Sequence, residues 1–221
     1  TGVVNAYSSV EWISGPHWYH AGVMRSLHRY ASDLMVVTMV LHLLREFSLD
    51  RYRGTRWFSW FTGVPLIWFL YVSGITGYWL VWDAMAQYVA VVSAKLLDVF
   101  PIFGEPLARN FMTPEHLSDR FFSLLVFLHI AVPLILLLVM WIHIQRISRP
   151  KTNPPRMLAG LILAALVAVS LWKPATSQGP ADLTRVPDEI GIDWFYLPLY
   201  PLAEDWGAWS LWALLIGIST I

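Results

Sequence analysis

The chain has 221 residues, 57% of them hydrophobic and 14% charged, with thirteen tryptophans, no cysteine and a formal net charge of zero. Such a composition belongs to a polytopic membrane protein rather than to a soluble domain, and a zero net charge points to no class of partner. Without cysteine these residues hold no disulfide, no cysteine-ligated iron–sulfur cluster and no thioether-linked prosthetic group. The opening Thr1, without a Met or a signal peptide, and the apolar run that reaches Ile221 read as a piece of a longer polypeptide.

Residues 1–23 mix aromatics with Ser, Gly and Pro, are too short and polar to span a bilayer, and read as an interfacial loop. Residues 24–47 form the first expected span, ended by a polar loop from Ser48 to Arg56, and residues 60–82 the second. In the connector that follows, Pro101, Gly104, Pro106 and Pro114 break any continuous helix, so short interfacial helices are expected there. Residues 120–145 are the third span and 157–173 the fourth, and a fifth begins at Trp206. The chain thus divides into 1–23, a core of three spans and a connector over 24–150, and a C-terminal helical part over 151–221. Arg45, Arg51, Arg53 and Arg56 after the first span, and Arg146, Arg149, Lys151 and Arg156 after the third, put both loops on the negative side of the membrane.

Two of these spans carry paired histidines at the same spacing: His28 and His42 on the first, His129 and His143 on the third, each pair fourteen residues apart. At about 3.5 residues per turn, fourteen residues make four whole turns, so both members of a pair face one way. At ~1.5 Å per residue the two levels lie ~21 Å apart, inside a hydrocarbon core ~30 Å thick. The orientation sets His28 with His129 near the positive side and His42 with His143 near the negative side. A lone histidine in an apolar helix is ordinarily a hydrogen-bonded core residue, but two equal spacings on separate helices call for a common partner. Zinc or copper needs three or four ligands at one depth, whereas haem iron takes one imidazole from each side. The expected fold is all-α, a polytopic membrane helical bundle holding two stacked, non-covalent b-type haems.

Gly63 and Gly77 on the middle span are also fourteen apart and suit close backbone approach to a flat macrocycle, with tight helix packing as the plainer use. Arg25 three residues before His28, Arg45 three after His42, and Arg120 at the entrance of the third span can pair with haem propionates or simply snorkel at helix ends. The loop histidines His17, His20 and His116 read as non-metallic. Asp98, Glu105 and Glu115 offer contacts to a soluble partner.

These residues resemble the cytochrome b family of quinol:cytochrome c and plastoquinol oxidoreductases. The pattern Arg-x-x-His, thirteen residues, His-x-x-Arg is met by Arg25, His28, His42 and Arg45; NAYSSVEWISGP looks like the family's loop between its first two helices. Gly63 and Gly77 match its third helix, Asp119-Arg120-Phe121-Phe122 with His129 and Pro133 resembles its fourth, and Asp193-Trp194-Phe195 stands where the family has Pro-Glu-Trp-Tyr. The resemblance covers nearly the whole chain, and implies a divergent member that starts after the family's first helix and stops inside its sixth.

The resemblance further implies that His28 and His129 hold the lower-potential haem, and His42 and His143 the other. It implies quinol oxidation near Tyr78, Trp82, Asp193 and Trp194, with a quinone pool as substrate. Rieske iron–sulfur and c-type cytochrome partners, a homodimeric complex, no nucleic acid, and residence in an energy-transducing membrane of the bacterial inner-membrane type follow in the same way. Four positions depart from the family. GYWLVWDA over Gly77 to Ala84 has Val81 for a proline and Ala84 for a glutamine, Asp193 replaces the proton-accepting glutamate, and Ser148 stands where respiratory members have a second-site histidine. The weakened quinol site motivates an alternative, a linear conduit between quinone and another redox subunit. A proton or metal ion transporter is the distant alternative, disfavoured by the scarcity of acidic residues in the spans.

Overall fold

The computed structural model describes residues 2–102, 104–111, 117–187 and 189–220, so Pro114, Glu115 and His116 lie outside the described residues. Eight α-helices are found among them: α1 Val3–Ser14, α2 Val23–Ser48, α3 Trp57–Trp79, α4 Ala84–Asp98, α5 Asp119–Ile144, α6 Arg156–Trp172, α7 Leu199–Trp206 and α8 Ala208–Ser219. A π-helical turn over Trp18–Gly22 leads into α2, and 3-10 turns occupy Gly54–Arg56 and Leu107–Phe111. The expected spans coincide with α2, α3, α5 and α6 to within a few residues. Trp206, expected to open the fifth, instead closes α7, and Gly207 at φ 77° separates it from α8.

Gly54–Trp79 and Asp119–Ile144 are long and apolar enough to cross a membrane. Helix α2 has the length, 26 residues, but its sequence carries Arg25, His28, Arg29, Asp33, His42, Arg45 and Glu46. Pro65 in α3 and Pro133 in α5 sit inside their helices, as membrane helices tolerate. Along α5 the large apolar side chains of Phe127, Leu134, Leu137 and Trp141 are exposed, as are Met157, Leu161 and Leu163 on α6. Apolar faces of this extent need lipid or protein against them.

Contacts within the chain gather into two units, each built from separate segments. One comprises Thr1–Val10, Ser73–Ile130 and Ser177–Ile221, the other Glu11–Val72 and Ala131–Thr176. In the first, Ala86, Ala90 and Ala94 recur every four residues along α4 and form a buried stripe that belongs to one cluster with Phe111, Phe122 and Leu125. Asp98, expected to face a partner, instead accepts the backbone N–H groups of Leu107 and Ala108 at 2.6 and 3.0 Å and so caps the 3-10 turn. Glu105 is held by Arg109 at 3.2 Å. Asp119, in the first turn of α5, accepts the N–H of Val3 at the start of α1 at 3.0 Å.

In the second unit α2 packs on α6. Ser26 accepts the N–H of Ala175 at 2.9 Å while its own hydroxyl donates to Gly22, and the Tyr30 hydroxyl donates to the Lys173 carbonyl at 2.5 Å. The end of α6 is thereby fastened to α2, and backbone groups that would be costly to leave bare beside lipid are satisfied.

Asp83 does the corresponding work in the first unit. One carboxylate oxygen caps α4 at the N–H of Ala86, 2.8 Å, and the other accepts the N–H of Gln178, also 2.8 Å. Asp83 is buried, so both bonds lie away from water. Asp83→Ala removes a cap and a strap together and is expected to cost ~2 kcal/mol or more, with Asp83→Asn losing less. Thermal unfolding in detergent, followed by helical circular dichroism, measures the order of the three proteins.

Candidate functional site

Helix α3 supplies a ledge on which the histidines of α5 rest, and the ledge is the same at both levels. In the second unit the Nδ1 of His143 lies 3.2 Å from the Thr62 hydroxyl, and the ring also bonds the Ser59 backbone. In the first unit the Nδ1 of His129 lies 3.2 Å from the Thr76 hydroxyl and 3.1 Å from the Ser73 carbonyl oxygen. A carbonyl only accepts, so Nδ1 carries a proton, and in a neutral ring the lone pair then lies on Nε2. That tautomer is the one that binds a metal through Nε2.

The glycines admit the rings. A Cβ on Gly77 would stand 2.9 Å from Cε1 of His129, and one on Gly63 would stand 3.4 Å from Cε1 of His143. Both expected glycines therefore lie against imidazoles, and what they leave room for in this structure is the histidine itself. Sequence reasoning named the glycines and missed Thr62 and Thr76. The available signal was the pentapeptide Ser-x-x-Thr-Gly, which occurs at Ser59–Gly63 and again at Ser73–Gly77.

Within the second unit, His42 of α2 and His143 of α5 face each other with ring centroids 6.4 Å apart and planes inclined by 74°. His28 belongs to the second unit and His129 to the first. Both α2 histidines are exposed, His129 and His143 half-buried. Among the described residues no three His, Cys, Asp or Glu side chains gather as a metal cluster.

The arginines stand at the helix ends. Arg45 bonds Glu46, which also receives Arg51 at 3.1 Å and Arg56 at 3.8 Å. Three guanidiniums on one carboxylate leave this end of α2 positive and suited to anions. Arg25 is bonded to Ser14 and lies 3.7 Å from Glu11, whereas Arg120 is exposed. Asp33, buried in α2, has Arg29 at 3.5 Å, a pair one helical turn apart that cancels its charge.

The residues expected around quinol are partly assembled. The Tyr78 hydroxyl at the end of α3 donates to Asp193 Oδ2, and both residues are buried. Asp193 Oδ1 accepts the N–H of Phe195 at 2.7 Å and its carbonyl accepts that of Leu197 at 2.9 Å, which folds residues 193–197 into a tight turn. Gly74, one turn before Tyr78, lies under the ring of Tyr196, where a side chain would collide. Trp82 is buried with φ 54° and lines a pocket of about 490 Å³ with Tyr7, Leu117, Pro180 and Asp182. The Thr184 hydroxyl and backbone N–H, at 2.6 and 2.9 Å, hold the Asp182 carboxyl below its ordinary value. Trp194 is 73% exposed and is not part of the Tyr78–Asp193 contact.

The departures in GYWLVWDA find a structural counterpart. Val81 donates its N–H to Tyr78 at 3.1 Å, a bond that proline cannot make, and Ala84 donates to Gly179 at 2.7 Å. The turn is therefore held by hydrogen bonds rather than by a ring. Gln87, which sequence reasoning passed over, is buried and binds the backbone of Asp182 in both directions, at 2.9 Å each way.

Histidines held through Nδ1 on a long apolar helix, one of them facing a histidine of α2, are what the site presents. The profile of the cytochrome b family, Cytochrome b/b6/petB, matches residues 1–150, and the chain belongs to that family. Among solved structures, a chain described as "Hyperthermophilic respiratory Complex III" superposes with a TM-score of 0.72 at 20% identity, covering 97% of this chain and 66% of that one. At that identity the likeness establishes the helical cytochrome b fold. The family implies b-type haem, and the residues fit it: Nε2 lone pairs on His129 and His143, two ligands rather than three at the His42–His143 level, and glycines beneath the rings.

The two glycines differ in tightness, and this sets an order. Gly77→Ala forces His129 to move and is expected to cost ~1–3 kcal/mol and to lower haem content, whereas Gly63→Ala needs only a few tenths of an ångström and retains haem. Haem per protein in purified variants, read from the pyridine haemochrome spectrum, checks it.

Proposed function

We propose that this chain is the dihaem cytochrome b subunit of a quinol-oxidising respiratory complex. The observation that carries the reading is the doubled arrangement in which α5 histidines are held through Nδ1 by α3, fourteen residues apart, with Nε2 left to bind iron. His42 and His143 form one ligand pair and His28 and His129 the other. Arg25, Arg45 and Arg120 attract the propionate carboxylates. When bound, b-type haem supplies one-electron acceptance and release.

The protein's own part in quinol oxidation is proton transfer and positioning. Quinol gives up two protons and two electrons on becoming quinone. Asp193 takes a proton from a quinol hydroxyl at a carboxylate oxygen, and Tyr78, already donating to that carboxylate, orients it and offers an exit for the proton. Trp82 and Trp194 bound the quinol on its apolar side. The two electrons are divided between a Rieske-type iron–sulfur partner and this chain, with a c-type cytochrome beyond the Rieske protein. The complex is a homodimer in an energy-transducing membrane, taken to be a bacterial inner membrane, and draws on its quinone pool.

The test is oxidant-induced reduction. With quinol supplied and the negative-side site blocked, a pulse of ferricyanide is expected to cause transient reduction of the b-type absorption band. Plain oxidation of that band would instead identify a linear conduit to another redox subunit. In Asp193→Ala the b spectrum is expected to survive while quinol oxidation falls by a factor on the order of 10²–10⁴. Unchanged turnover removes Asp193 from the site.

A further inference from the structure

We propose that Thr62 and Thr76 are positioning residues, one for each haem, that set the orientation and electron donation of the α5 histidines and so tune the two potentials separately. The inference rests on the reading of His143 and His129 as haem ligands. Its basis is the direction of the hydrogen bonds. The Thr62 hydroxyl donates to the Phe58 carbonyl at 2.7 Å, and the Thr76 hydroxyl donates to the Ser73 carbonyl at 3.1 Å. With its proton committed to its own helix, each threonine oxygen turns a lone pair to the imidazole, and the Nδ1–H is the donor.

Several features make this more than the usual back-bonding of threonine in a helix. Both threonines are buried, at 8% and 3% exposure, so no water competes for the oxygen. Threonine is stiff at χ1, which keeps the lone pair aimed. The chain from imidazole N–H to hydroxyl to carbonyl runs in one sense, and bonds in such a chain strengthen one another. The same pentapeptide provides the same contact twice, each time on a different α5 histidine.

The electronic consequence has a definite sign. Drawing on the Nδ1 proton makes Nε2 more basic, and a more basic imidazole favours ferric over ferrous iron. Loss of the hydroxyl is therefore expected to raise the potential of the haem bound by that histidine and leave the other where it was. A threonine serving only to pack its helix would move neither.

The experiment uses the complex purified from membranes, in wild-type form and with Thr62→Val, Thr76→Val, Thr62→Ser and Thr76→Ser. Redox titration of the b band and low-temperature electron paramagnetic resonance of the ferric haems are the readouts. The expected result is an upward shift of one midpoint and a moved low-spin signal in each valine variant, a different haem responding to each, with wild-type values regained in the serine variants. Haem lost from a valine variant but kept by its serine counterpart also supports the inference. Midpoints and resonance signals unchanged by valine, or haem lost equally with serine, overturn it. A wild type that purifies without b-type haem removes the functional reading first, and this inference with it.

Discussion

An imidazole among lipid-facing helices has to spend both nitrogens, and most of this structure is arranged around that requirement. An unsatisfied polar group in hydrocarbon costs several kcal/mol. Helix α3 meets half of the demand by turning a carbonyl and a threonine toward each α5 ring, and at His129 it can do so only because Gly77 lets the ring come close. Satisfying Nδ1 in this way fixes Nε2 as the nitrogen that keeps a lone pair in the neutral ring. Packing and tautomer are thus one constraint seen at two scales.

The region around Tyr78 shows a different economy. Here the turn is built from backbone bonds at Val81 and Ala84 and from two buried side chains, Asp83 and Gln87. Ala84, Asp83 and Gln87 each reach residues 178–185, nearly a hundred positions further along the chain. Asp193, reached by Tyr78, belongs to the same C-terminal part of the chain. The tight turn over 193–197 holds the Asp193 carboxylate where the Tyr78 phenol meets it.

Charge is placed with comparable care. The guanidiniums at the end of α2 converge on Glu46 and leave a positive surplus there, while Arg29 and Asp33 in the same helix neutralise each other. Asp98 at the end of α4 and Asp119 at the start of α5 both accept backbone N–H groups from other segments.

The two α5 histidines, the two glycines beside them and the helices that carry them were legible from the chain alone, because a fourteen-residue spacing returns to the same face of any helix of this type. The bounds of α2, α3, α5 and α6 followed from hydropathy and from the polar or proline-bearing stretches that separate the apolar runs. What only tertiary structure decided are the contacts between distant segments. The direction of the threonine bonds, the tautomer of His129, the use of Asp83 as both cap and strap, the Tyr78–Asp193 bond and the outward turn of Trp194 depend on which side chain arrives opposite which. Periodicity records which way a residue faces along its own helix, and a hydrogen bond needs the partner's position as well.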